Sequence, residues 1–146
     1  MTVSENSLDI LNEIFAVHYR SLPRYLLDAA PWTHRGDLKA AEVLGDVVGD
    51  QQESCRRIAE VIVARGGTLE SGEYPTVFTD MHFLSLDFLL TELIRLQQLD
   101  IETIRVGVDR LGNDPSAQGL LQECLGGAKG HLQSLEELVA ELSAAG

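Results

Sequence analysis

Apolar residues recur at spacings of three and four along four long stretches of the chain, and nowhere do they alternate over a comparable length. The first stripe runs Leu8, Leu11, Phe15, His18, Leu22 and Tyr25, and the second Ala41, Leu44, Val48, Gln51, Cys55, Ile58 and Ile62. The third runs Phe83, Asp87, Leu90, Ile94, Gln97, Ile101, Ile104, Val108 and Leu111, and the fourth Ala117, Leu121, Cys124, Ala128, His131, Leu135, Leu138 and Leu142. That spacing keeps one face of an α-helix apolar, whereas a strand would need a period of two. The pattern predicts an all-α protein: a four-helix bundle forming one domain over residues 1–146.

Turn and cap residues stand at the ends of these stripes. Ser7 is a candidate cap for the first helix and Thr79 or Asp80 for the third. Gly66 and Gly67 follow the second helix, where glycine relieves a left-handed C-terminal position. Gly112-Asn113-Asp114-Pro115 reads as a stop, a cap and a proline at the first helical position, which makes helices three and four an antiparallel hairpin. Pro23 lies inside the first stripe and should kink that helix near Tyr19, whose carbonyl loses its amide partner. Between Arg65 and Thr79 run residues 66 to 78, far more than a tight turn needs. Thirteen extended residues reach about 43 Å, and a helix of 27 residues is about 40 Å long. The expectation is a long crossover that makes helices two and three parallel.

Composition narrows the function. Hydrophobic residues make up 45% of the chain at a net charge of −12, too apolar for a disordered protein. With only 11 Lys and Arg, so acidic a surface repels phosphate, and no nucleic-acid partner is expected. No apolar run approaches the 18 residues of a membrane span. The start MTVSENSLDI has neither the basic residues nor the apolar stretch of a secretory signal. Cys55 and Cys124 sit in apolar stripes and read as separate reduced core thiols of a cytoplasmic protein.

Each stripe is interrupted near its middle by a polar residue: His18, Gln51, Gln97 and His131. Leu11-Asn12-Glu13 in the first helix, Arg65-Gly66-Gly67 closing the second, the long crossover, and the Gly-Asn-Asp-Pro turn before a helix with a central His resemble the ferritin-like superfamily. Its bacterioferritin and rubrerythrin branches are nearest. The resemblance covers nearly the whole chain and implies a di-metal site at the level of the polar layer. The residues depart from that pattern. His18 stands where the family has a first-helix Glu, and Gln51 with Ser54 stands for the second-helix Glu-x-x-His. Gln97 or Gln98 replaces the third-helix Glu, and Ala128 with His131 keeps only the His of the fourth-helix motif. Two irons need anionic oxygens to offset and bridge them, and amides and imidazoles supply none.

The leading expectation is therefore a ferritin-like binding or scaffold module, without catalysis or cofactor, whose partner is a protein or a small molecule. A mononuclear iron or zinc site on His18 and His131 is the first alternative. A divergent di-metal oxidase or iron-handling protein using Glu92, Glu102 or Glu123 is the second. The His and Gln of the layer are expected to hydrogen-bond one another, and Asp46, Asp50 and Glu53 to form a solvated face. His82 is expected to be exposed and His34 to sit in a loop. Gly45, Gly49, Gly126, Gly127 and Gly130 suggest close helix packing. Second apolar lines, Ile10-Ile14-Val17 and Leu86-Leu89-Leu93-Leu96, exceed what one bundle buries and suggest a homodimer through a helix face.

Overall fold

In the computed structural model the described residues are 3–29, 35–70, 74–75 and 86–145; they form helices and no strand. The helices are α1 (Val3–Tyr19), α2 (Leu22–Ala29), α3 (Arg35–Ala64), α4 (Leu86–Arg110) and α5 (Pro115–Ala145). The first predicted helix is thus α1 and α2, broken where Pro23 has no amide to offer Tyr19. The Arg20 amide makes the last bond of α1, to Ala16, and the Tyr25 amide takes up again at Ser21. One ring contact spans the break: the Arg24 guanidinium lies 4.4 Å above the Tyr19 ring, which itself stacks on Phe15 within α1.

The buried residues fall into two groups, one on each side of the polar layer. One gathers Ile10, Leu11, Ile14 and Phe15 of α1, Cys55, Ile58 and Ile62 of α3, Ile104 and Val108 of α4, Leu111 just after it, and residues from Ala117 to Ala128 of α5. The other gathers Leu22 and Leu26 of α2, Ala40 and Leu44 of α3, Leu89 to Leu93 of α4 and Leu135 and Leu138 of α5. The late halves of α3 and α4 share the first group and their early halves the second, so these two helices run the same way. The α1–α2 segment and α5 run against them.

The ends of the helices follow the chemistry of their residues. Gly66 has φ +79° and closes α3: its amide reaches Val63 at 2.9 Å, and that of Gly67 reaches Ile62 at 2.9 Å. A side chain at Gly67 would strike Leu8, 2.8 Å from the position of its first carbon. The next residues are tied to α1 by Asn12. Its amide group donates to the Thr68 carbonyl at 2.9 Å and its oxygen accepts the Glu70 amide at 2.8 Å. Further on, Tyr74 meets Tyr25 of α2 edge-on, with ring centroids 5.2 Å apart. Thr79, Asp80, His34, His82, Phe83 and residues 71–73 and 76–78 of the segment 66–78 lie outside the described residues.

Pro115 opens α5 as the sequence predicts, and Asp114 caps it, accepting the Ala117 amide at 3.3 Å. Ser7 does not cap α1, which starts at Val3; it is buried inside the helix, and its hydroxyl hydrogen-bonds to Asp114. Asp114 also takes a forked ion pair from Arg65, at 2.5 and 3.0 Å. One carboxylate therefore joins α1, the end of α3 and the start of α5.

Of the apolar lines expected to be surplus, the described residues are buried or half-buried within the single chain, and the Leu86 side chain lies outside them. Ile10 and Ile14 are 2% and 0% exposed, with Val17 half-buried. Gly107 of α4 makes room for them: a side chain there would meet Ile10 at 3.3 Å and Ile14 at 3.4 Å. Leu89 and Leu93 are buried because α2 packs across the start of α4, and Leu96 is half-buried. The helical glycines are corrected too. A methyl group on Gly45, Gly49, Gly126, Gly127 or Gly130 would meet nothing within 4 Å, so none of them serves close packing.

Candidate functional site

The polar layer lies between the two apolar groups, at the level where α1 breaks into α2. His18, Gln51 and Gln97 are buried there, and the His131 side chain is 13% exposed. Buried polar groups need partners, and here each of the four side chains has one. His18 donates from Nδ1 to the Ile14 carbonyl at 2.9 Å, one turn back on α1. That bond leaves Nε2 as a bare lone pair, and burial, with His131 close by, pushes the imidazole below its ordinary range and keeps it neutral. Gln97 donates to the Ala128 carbonyl across α4 and α5 at 2.9 Å. His131 Nε2 donates to the Asp50 carboxylate at 2.9 Å, and Asp50 is 73% exposed.

Gln51 accepts from a residue that the stripes do not mark. The Ser21 hydroxyl donates to Gln51 Oε1 at 2.7 Å while accepting the Arg24 amide at 3.3 Å. Ser21 is both the cap of α2 and a member of the layer, itself 4% exposed. The break in the first helix and the polar layer are thus one feature. Its only sequence signal is a serine two residues before Pro23, the position that N-caps favour.

The four predicted layer residues share a level but form no closed ring: none hydrogen-bonds to another. The reason is geometric. His18 turns to a carbonyl of its own helix, and a neighbouring helix offers the others the Ala128 carbonyl, the Ser21 hydroxyl and the Asp50 carboxylate before they meet one another.

Asp100 is the second residue that sequence reasoning passes over. It lies one turn beyond Gln97, half-buried and in no ion pair, and burial pushes its carboxyl up to about 7. Off the stripe by a single step, it shows no pattern that would distinguish it from the solvated acids around it.

The carboxylates of the di-metal alternative are engaged elsewhere. Glu92 is held by Arg95, Glu102 by Arg105 and Glu123 by Arg57. Asp46 and Glu53 are exposed, Glu53 in a pair with Arg56. Among the described residues no three His, Cys, Asp or Glu side chains come together in a group able to hold a metal ion. The layer is thus a poor fit for two metal ions, against whose charge it sets only the exposed carboxylate of Asp50.

Cys55 and Cys124 are free, buried, and part of the same apolar group. Burial pushes the Cys55 thiol up to about 11; its sulfur faces the Phe15 carbonyl at 3.9 Å. Cys124 is raised as well, opposed by a hydrogen bond with Ser54. Thiols so protonated are poor nucleophiles at neutral pH.

Among the described residues no helix is long and apolar enough to cross a membrane. No family model matches the chain, and no curated protein does either.

Proposed function

We propose that this chain is a ferritin-like bundle that has exchanged the di-metal centre for a neutral polar layer, and that it works as a non-catalytic binding or scaffold module. One observation carries the reading. The side chains that meet at the middle of the core, His18, Ser21, Gln51 and Gln97, are all uncharged at neutral pH, and none is a carboxylate. Two metal ions would bring at least four positive charges into that low-dielectric space. On this reading residues 66–78 form the long crossover of the ferritin-like topology. Asn12 holding 68–70 and Tyr25 meeting Tyr74, two points successively further along the α1–α2 segment, support that path. The two buried free thiols support a cytoplasmic location.

A second reading has one observation in its favour. His131 is oriented by Asp50 and His18 by the Ile14 carbonyl, the kind of outer partner that fixes a metal-ligating imidazole. A single iron or zinc ion could then draw on both imidazoles with ligands supplied from outside.

Elemental analysis of the purified protein separates the two. The first reading expects iron and zinc at background, unchanged in His18→Leu and His131→Leu. Stoichiometric metal that either substitution abolishes would establish the second and sink the first.

A further inference from the structure

The largest apolar side chains left in solvent on α4 lie along one line. Leu99 is 53% exposed and Val106 40%, and Phe88, at 50%, continues the line toward the start of the helix. Steps of seven and eleven residues return to nearly the same angle on an α-helix, so these three share the outer face. None belongs to the apolar lines that the sequence suggested for a dimer, whose described residues are buried or half-buried.

The charges around that line are arranged unlike the rest of the molecule. The chain carries a net charge of −12, so two copies repel over most of their surface. Among the described side chains on the solvent side of α4, Glu92, Glu102 and Asp109 are matched in number by Arg95, Arg105 and Arg110, and the half-buried Asp100 adds one acid whose charge burial suppresses. This face is close to neutral, and like-charged copies meet there at least cost.

The order of those charges is also self-complementary. An isologous contact places a residue of one copy against the residue equally far on the other side of a two-fold axis. With the axis at Leu99, the two Leu99 side chains meet. Arg95, four residues before it, then lies within one residue, about 1.5 Å of rise, of Glu102 in the other copy. Both project from the same flank of the line, so the pair forms twice. Phe88 and Arg110 stand eleven residues either side of Leu99 and come level, with a guanidinium beside a ring.

We propose that the outer face of α4 is a self-association surface, on which a second copy of this chain packs antiparallel about Leu99. Size sets its strength. A helix of this length is about 37 Å long and 10–12 Å wide, giving roughly 400 Å² per copy. That is the low end for specific contacts, so the dimer dissociates in the micromolar range. The proposal does not depend on the function argued above.

Sedimentation velocity from about 1 to 300 µM tests it. The unaltered protein should pass from monomer to dimer over that range. Leu99→Glu should weaken the dimer on the order of 100-fold, because one substitution strikes the axis twice. Its helical circular dichroism should be unchanged, since Leu99 is exposed. Arg95→Glu and Glu102→Arg should each weaken association, and the double exchange should restore it. A protein that stays monomeric at 300 µM overturns the proposal. So does a Leu99→Glu variant that dimerises like the parent, or a double exchange no better than either single one.

Discussion

Replacing Asp114 should reveal how far one side chain holds three helices together. It caps α5 through the Ala117 amide, takes a hydrogen bond from Ser7 of α1, and takes the forked pair from Arg65 at the end of α3. The pair is neither exposed nor fully enclosed, with side chains 25% and 12% exposed for Arg65 and Asp114. Exposed pairs contribute up to about 1 kcal/mol, and hydrogen bonds to charged groups about 1.5–3 kcal/mol; about 1–2 kcal/mol fits the intermediate burial. Losing an N-cap costs about 1 kcal/mol. Asp114→Asn keeps a capping oxygen and loses the charge, so it should destabilise by about 1–2 kcal/mol. Asp114→Ala loses both and should cost about 2–3 kcal/mol. Urea denaturation followed by circular dichroism, with Arg65→Met and the double variant completing a cycle, measures the coupling directly. The pH dependence gives a second check. Arg65 holds the Asp114 carboxyl well below the usual carboxylate range, so its contribution is complete above about pH 4 and drains away as the pH falls further. A coupling energy below about 0.3 kcal/mol, within the error of additivity, would refute the idea that this pair ties α3 to α5.

Gly126→Ala and Gly130→Ala should each stabilise the protein by about 0.5–1 kcal/mol, because a helix gains from the exchange and nothing stands within 4 Å of the added methyl; thermal melting reads the gain. Gly66→Ala, at φ +79°, should instead destabilise by about 1 kcal/mol. His18 is held below its ordinary range, so its contribution is complete above about pH 6.5 and falls as the pH drops below that, where the unfolded chain takes the proton; denaturation across pH 5 to 8 should show that slope in the parent and lose it in His18→Leu. Asp100 has the opposite sign. Raised to about 7, it destabilises as the pH climbs from about 4 to about 7, so Asp100→Asn should exceed the parent in stability at pH 8 and match it near pH 4.

The sequence carried the elements well because local chemistry decides them. Gly66 closing α3, Pro115 opening α5 and the break before Pro23 each follow from what one residue's backbone can do. Burial was harder, because it depends on what another helix presents. Ile10 and Ile14 looked surplus until Gly107, nearly a hundred residues away, supplied the hollow they fill. The site was half legible. The stripes marked His18, Gln51, Gln97 and His131 as core positions. They could not show that Ser21 takes up Gln51, or that the histidines turn to Ile14 and Asp50 rather than to each other. The glycines of α5 misled for a similar reason, since a glycine on a buried face and one on a bare face have the same spelling.

The division of the core by a polar layer bears on how the molecule comes apart. The buried apolar residues separate into two groups about the level of His18 and Gln97, which the continuous backbones of α3, α4 and α5 join. The α1–α2 segment provides no such continuous rod, because its helical bonding lapses at that level. The half containing α2 then has the means to open by itself, while the half closed by Arg65, Asp114 and Ser7 stays shut. Amide exchange would report two cooperative units rather than one, with slow exchange in 104–124 and faster exchange in 22–29 and 135–142. In such a molecule the least stable region is not a loop but one end of the bundle.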